Sequence, residues 1–293
     1  MSAQKITFPT FDEMSPDAKN KKFLKHFRER LRYELYTRIY RQSCQKLINF
    51  LNQSAFWDQL FKLQQYRFNS LLMTYCDKRF SASQRLQAIT ENLVLFEQYL
   101  GEDFCRKLLS QQSIRLSQLT DNLYLNINLN RIDPFEGYFS INIETEDKQR
   151  IYDASFTFIA PNKLLIASIQ GPSYDDSQQV VKQATKALHG VRPMFMLVHV
   201  FKLLATYWNC ELIGIPHKYQ GKYRLSSRND IKFNYDEFWQ ENEAKLRQGY
   251  WRLNTEISRK SLDDIPSKKR SMYRKRYEMF DRLNAEIPVV LNG

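Results

Sequence analysis

From Phe23 onward, apolar positions recur near the helical period: Phe23, Phe27, Leu31, Leu35 and Ile39, then Leu47, Ile48 and Leu51. Proline is absent from Asp17 to Asp133, as several packed helices require. A helical pattern is therefore expected from Lys22 to about Gln118. Arg28, Arg30, Arg32, Arg38 and Arg41 make the first helix basic as well as aromatic. The stretch before it, residues 1–20, is polar and holds Pro9 and Pro16, which reads as a poorly ordered lead-in.

Near residue 120 the period becomes two. In Tyr124-Leu-Asn-Ile-Asn-Leu-Asn130, the apolar Leu125, Ile127 and Leu129 share one face and the asparagines the other. Phe139, Ile141 and Ile143 alternate after the turn at Asp133–Gly137. Phe156 and Phe158 repeat the pattern, and Leu164–Ile169 is a short apolar run. Turn residues at hairpin distances separate the last three, predicting an antiparallel meander of about four strands. A helix then starts at Pro172–Asp176, runs to His189, stops at Gly190 and restarts at Pro193. Met194–Trp208, apolar on most sides, is expected to cross the core. Glu211–Ile215 reads as a buried strand, Phe233–Glu243 as a short helix, Tyr250–Leu253 as a strand, and Asp263 to about Glu286 as a long basic helix. The fold class is α+β. A helical N-terminal region, 1–118, precedes an α/β region, 119–293, with an antiparallel sheet of about five or six strands, a central buried helix and a basic terminal helix.

Charge adds a constraint on partners. The 293 residues carry 44 Lys and Arg against 32 Asp and Glu, a formal net charge of +12 that attracts polyanions. Cys44, Cys76, Cys105 and Cys210 show no CxxC, three falling in helical segments and one before a strand. They read as buried thiols of a reducing compartment. Met1 to Asn20 lacks the apolar core of a secretory signal, and Met194–Trp208 is too short to span a bilayer. The expected location is cytoplasmic, with a peripheral place at the inner membrane as its membrane-bound form.

Four segments could carry function. Leu188-His-Gly-Val-Arg-Pro193 joins two helices, where backbone amides with His189 and Arg192 would make an anion site. Its structural alternative is a helix corner with Gly190 as cap. Ile215-Pro-His-Lys-Tyr219 ends a strand, where His217 could serve as acid or base. Tyr235-Asp-Glu-Phe-Trp239 offers Asp236 and Glu237 as carboxylates among aromatics, or simply an amphipathic helix. In the terminal helix, Lys268, Lys269, Arg270, Arg274, Lys275 and Arg276 fall within nine positions, a face suited to phosphates or anionic lipid. There is no GxGxxG, P-loop, HExxH or GxSxG, and the histidines and cysteines show no metal spacing. The lack of an RNP motif, zinc finger or basic zipper argues against sequence-specific nucleic-acid binding.

The ordered set Ser168-Ile-Gln-Gly-Pro172, Ala187-Leu-His-Gly-Val-Arg-Pro193, Ile215-Pro-His-Lys-Tyr219, Tyr235-Asp-Glu-Phe-Trp239, Tyr250-Trp-Arg-Leu253 and Ile265-Pro-Ser-Lys-Lys-Arg-Ser-Met-Tyr-Arg274 resembles the VirK/YbjX family of Gram-negative bacteria. The match runs from roughly residue 137 to 285. The resemblance implies a role in virulence, in maintenance of the cell envelope and in tolerance of cationic antimicrobial peptides. It implies no catalytic residues. The expected function is therefore that of an envelope factor acting on an anionic surface, a phosphate-bearing group or an acidic protein. The alternative is a transferase with an N-acetyltransferase-like sheet and an acyl-CoA donor. There the Gly190–Pro193 turn would hold a pyrophosphate, and His217 or an acid of 236–241 would be the base.

Overall fold

The computed structural model describes residues 5–16, 23–130, 133–172, 176–221 and 233–292. Within the lead-in, residues 5–16 are more structured than their polarity suggests. Thr10 and Glu13 form a capping box that starts α1 (Phe11–Met14), and Ile6, Phe11 and Met14 are buried. The Asn52 side chain ties this segment down, accepting from the Ile6 amide at 2.8 Å and donating to its carbonyl at 2.9 Å.

Six helices follow: α2 (Phe23–Ile39), α3 (Arg41–Gln53), α4 (Trp57–Leu63), α5 (Asn69–Leu72), α6 (Ala82–Leu100) and α7 (Glu102–Gln111). In α3, Cys44, Leu47, Ile48 and Leu51 are buried as their spacing predicts, whereas no residue of α2 is buried. Cys76, expected in a helix, lies in the loop after α5 at φ +53°.

The helical pattern ends earlier than expected, because Ser113–Thr120 is a strand, β1. Its apolar residues Ile114, Leu116 and Leu119 are spaced two and then three apart. Register shifts between Arg115 and Ser117 and between Gln118 and Thr120 accommodate that irregularity. Then come β2 (Leu123–Leu129), β3 (Phe139–Thr145), β4 (Arg150–Ile159), β5 (Lys163–Gln170), α8 (Ser177–Ala187), α9 (Pro193–Tyr207), β6 (Glu211–Gly214), α10 (Tyr235–Glu241), β7 (Lys245–Arg247), β8 (Tyr250–Leu253) and α11 (Ser267–Asn292). Of the expected helix start at 172–176, residues 173–175 lie outside the described residues.

The sheet has eight strands in the order β1-β2-β3-β4-β5-β6-β8-β7, rather than five or six. It is mixed rather than antiparallel throughout: β5 and β6 run parallel, joined by the crossover through α8 and α9. Strand β7 escapes a sequence reading because its three residues are all exposed and carry no pattern.

The apolar face of β2–β4 is packed by helices. Phe96 of α6 stacks on Phe139 at 3.6 Å, and Phe201 of α9 meets Phe156 edge-on at 5.6 Å. Helix α9 buries Met196, Leu197, Val198, Val200, Phe201, Leu204 and Ala205, as expected of the central helix.

Helix α11 begins after the expected Asp263 and continues six residues past Glu286, with Pro288 inside it. Ile287 and Leu291 extend the buried stripe of Met279 and Leu283, and this packing carries the helix through the proline. The same helix guards the edge strand. Arg282 donates to the carbonyls of Gln118 and Leu119 at 3.0 and 2.7 Å, and the Ser117 hydroxyl donates to Glu286 at 2.5 Å.

Because Phe201 is fully buried between α9 and β4, Phe201→Ala should lower stability by about 3–5 kcal/mol. Urea unfolding followed by circular dichroism checks this, and a loss below about 1 kcal/mol would contradict the core described.

Candidate functional site

The asparagines of β2 face away from the helix layer, as their alternation requires, but Asn126 is buried and Asn128 half-buried. The register lines up Arg115, Asn126, Asn142, Asp153 and Gln170 across five strands, with Ser113, Asn128, Ser140, Ser155 and Ser168 as the adjacent row. Asn126, Ser140, Asn142, Asp153, Ser155 and Ser168 are all buried. Burial of so many amides and hydroxyls is tolerable only if they bond one another. Asn126 Nδ2 donates to Asn142 Oδ1 at 3.1 Å, and Asn142 Nδ2 donates to Glu144 Oε2 at 3.1 Å. Ser113 Oγ donates to Asn128 Oδ1 at 2.6 Å, while Asn128 Nδ2 has no protein partner.

This polar face floors a groove of about 450 Å³, rimmed by Arg115, Lys148 and Arg150. Asp153 lies in it, 4% exposed. Burial pushes its carboxyl up to about 7, with Glu144 adding to the rise and Arg150, 2.8 Å away, opposing it. Lower on the same face the buried Glu136 accepts from Ser168 Oγ at 2.8 Å and from Gln170 Nε2. A concave polar cleft holding a buried carboxyl pushed up toward neutrality marks a candidate site. The sequence signal was the Asn alternation itself, which reads equally well as a solvent face.

The residues anticipated from the sequence form three groups, the second and third linked through Arg276. At the first, the His217 amide donates to Asp236 Oδ1 at 3.0 Å, and Trp251 Nε1 donates to the same oxygen at 2.7 Å. The Tyr235 amide reaches His217 Nδ1 at 3.4 Å, and Glu237 is exposed. Asp236 thus ties the turn after β6 to α10 and β8. At the second, Arg192 pairs with Glu241 at 2.8 Å, and the His189 carbonyl accepts from Arg276 Nε and Nη2 at 3.1 and 2.7 Å. Burial, and then the cations Lys275, Arg276 and Arg282, hold the His189 imidazole below its ordinary pKa. Arg192 bonds the last residue of α10, whereas His217 bonds its first turn. The third group is on α11, where Lys268, Lys269 and Arg274 are exposed while Arg270 bonds the Ile265 and Asp263 carbonyls at 2.9 and 3.2 Å.

An acyl-CoA donor would need the edges where β5 and β6 part. The pair is hydrogen-bonded from Lys163–Ile166 to Glu211–Gly214, and β5 then continues to Gln170 through an extra residue, Ala167. The chain's own side chains fill that notch. The Tyr235 hydroxyl accepts from the Ile169 amide at 3.1 Å and donates to its carbonyl at 3.0 Å. Trp239 Nε1 donates to the Ile215 carbonyl at 2.9 Å, and its ring sits where a Cβ on Gly214 would come within 2.5 Å. With these backbone groups already satisfied, the described residues at this notch leave no free backbone edge for an acyl-CoA tail. Among the described residues no cluster of His, Cys, Asp and Glu could hold a metal ion.

The profile described as "Protein of unknown function (DUF535)" matches residues 22–288. The chain belongs to the DUF535 family. That match takes in the helical N-terminal part as well as the sheet. The chain is 60% identical over 280 residues to an "Uncharacterized protein" of Haemophilus influenzae, covering 96% of both. It is 34% identical over 199 residues to "Membrane protein LapB" of Mannheimia haemolytica, which is 66% of this chain and 85% of that one. It is 24% identical over 265 residues to "Uncharacterized protein YbjX" of Escherichia coli, 84% and 79% of the two. The resemblance to the VirK/YbjX family is thus a relationship along most of this DUF535 chain. No solved structure matches it significantly. Among the described residues no helix is long and apolar enough to cross a membrane.

Because Asp153 has a folded-state pKa near 7, above the roughly 3.9 of an unfolded chain, its contribution to stability is present below about pH 4 and lost as pH rises through 7. Asp153→Asn should therefore raise the Tm at pH 8 relative to wild type and bring little gain at pH 4. The difference corresponds to at most about 4 kcal/mol, each unit being worth about 1.4 kcal/mol. Thermal unfolding of both proteins across that range checks it, and an equal shift at both pH values would contradict the assignment.

Proposed function

We propose that this DUF535 protein binds a hydroxyl- and amide-rich unit of the cell envelope, a sugar–peptide fragment, in the groove over β1–β4. The observation that carries the reading is the pair of buried polar rows. Asn126, Asn142 and Ser140 supply donors and acceptors, Asn128 Nδ2 lacks a protein partner, and Asp153 titrates near pH 7. Asparagine amides suit a ligand that both donates and accepts. The mixed rim of Arg115, Arg150 and Glu144 suits a ligand with charges of both signs. An envelope setting is supported by the family resemblance and by the name of the relative "Membrane protein LapB".

A second reading, contact with an anionic partner, is favoured by α11, whose Lys268, Lys269, Arg274 and Lys275 all face solvent. Arg270 and Arg276 belong less to that surface, since each bonds backbone carbonyls.

Calorimetric titration with a purified muropeptide, and separately with a neutral oligosaccharide, tests the groove. Saturable binding of the muropeptide is expected, weakened about tenfold by Asn142→Ala, the cost of one or two lost buried hydrogen bonds. Affinity should also change through pH 7 in wild type and not in Asp153→Asn. Failure of both ligands to bind, or equal binding by wild type and Asn142→Ala, would remove the groove reading.

A further inference from the structure

Helix α2 turns its apolar side outward. Toward the body it presents Tyr33, whose hydroxyl donates to the Pro9 carbonyl at 2.5 Å, and His26, whose ring lies 5.5 Å from that of Phe11. Tyr36 and Tyr40 pack there as well. Away from the body lie Phe23, Leu24, Phe27, Leu31, Leu35 and Ile39, each between 52% and 79% exposed. At about 100° per residue these six share one arc, opposite Tyr33, Tyr36 and Tyr40. Arg28, Glu34 and Arg38 fall within the same arc, yet six exposed large apolar side chains on one side of a helix are unusual where only water is met.

Two features say what covers it. The first is charge. The helix carries Lys25, Arg28, Arg30, Arg32 and Arg38 against Glu29 and Glu34, five cations less two carboxylates, on a chain of net charge +12. The second is spacing. A seam for another helix needs apolar residues every 3.5 positions. Continued from Leu24, Phe27 and Leu31, that seam meets Glu34 and Arg38. Steps of four, from Phe23 through Phe27, Leu31 and Leu35 to Ile39, instead spread the apolar groups over an arc of about 160° in which cations stand among them. A second copy would also bring like charges together, whereas anionic headgroups complement them.

We propose that α2 is a membrane-surface anchor that lies in the headgroup layer of an anionic bilayer with this arc turned into the acyl boundary. Interfacial helices bury apolar side chains while Lys and Arg reach back to the headgroups, the role Arg28 and Arg38 would take within this arc. The proposal is independent of the groove and of the cationic surface of α11.

Flotation of the full chain with vesicles of phosphatidylethanolamine and phosphatidylglycerol, and with vesicles of phosphatidylcholine alone, tests it. Wild type should float with the anionic vesicles, more weakly at high salt. The variant Phe27→Ser, Leu31→Ser, Leu35→Ser should lose at least about tenfold in partitioning, given the apolar area removed from the boundary. Its Tm should be unchanged, because the three side chains are exposed. A variant with alanine at Lys268, Lys269, Arg274 and Lys275 separates the two basic elements and should keep most of the binding. The proposal is overturned if wild type ignores anionic vesicles, or if the triple-serine variant floats as wild type does. It is overturned equally if ultracentrifugation finds a dimer that the triple-serine variant dissolves while neither floats, which would make α2 a self-interface.

Discussion

Strand register is the constraint on which the rest of this molecule depends. A sheet covered on both faces normally carries apolar side chains on both. Here β2–β4 pack helices on one side, while the other, the floor of the groove, is Asn, Ser and Asp, most of them buried among one another. A slip of one residue would exchange the faces, driving Asn126 and Asn142 into the aromatic layer around Phe96 and Phe201. It would also break the chain from Asn126 through Asn142 to Glu144, leaving buried amides unsatisfied. The two faces therefore enforce one alignment from opposite directions, one by apolar packing and the other by hydrogen bonds.

Much of this was legible along the chain, and the misses have identifiable causes. The alternations of β2 and β3 and the nearly all-apolar α9 announce themselves because period and burial coincide. Strand β1 hides because its bulges convert a period of two into a spacing of two and three. Helix α11 outruns its expected end because packing of Ile287 and Leu291 outweighs the missing amide of Pro288. The stripe in α2 has the right period but faces outward, and periodicity carries no sign that distinguishes a core from an exterior surface. Likewise Asn126 and Asn142 look like a solvated face, since only the full register shows that they bond each other and Glu144 across the strands.

Helix α10 shows the structural work done by the residues with the most chemical promise. Asp236 holds the His217 amide and the Trp251 indole, Tyr235 closes both backbone groups of Ile169, and Trp239 caps the Ile215 carbonyl. Seven residues thus join β5, β6 and β8 where the sheet would otherwise part. A carboxylate, a phenol and an indole beside a histidine are the same types that would build an acid–base site. Their partners here are mostly backbone, and local sequence cannot tell backbone from substrate.

The clasp between α11 and β1 has a consequence for the order of events during synthesis. The outer carbonyls of Gln118 and Leu119 are capped by Arg282, more than 160 positions later in the chain. While the ribosome is still adding the intervening segments, β1 presents an open edge to any neighbouring nascent strand. Aggregation risk should therefore be greatest in chains truncated just short of the terminal helix, whose loss removes no strand from the sheet.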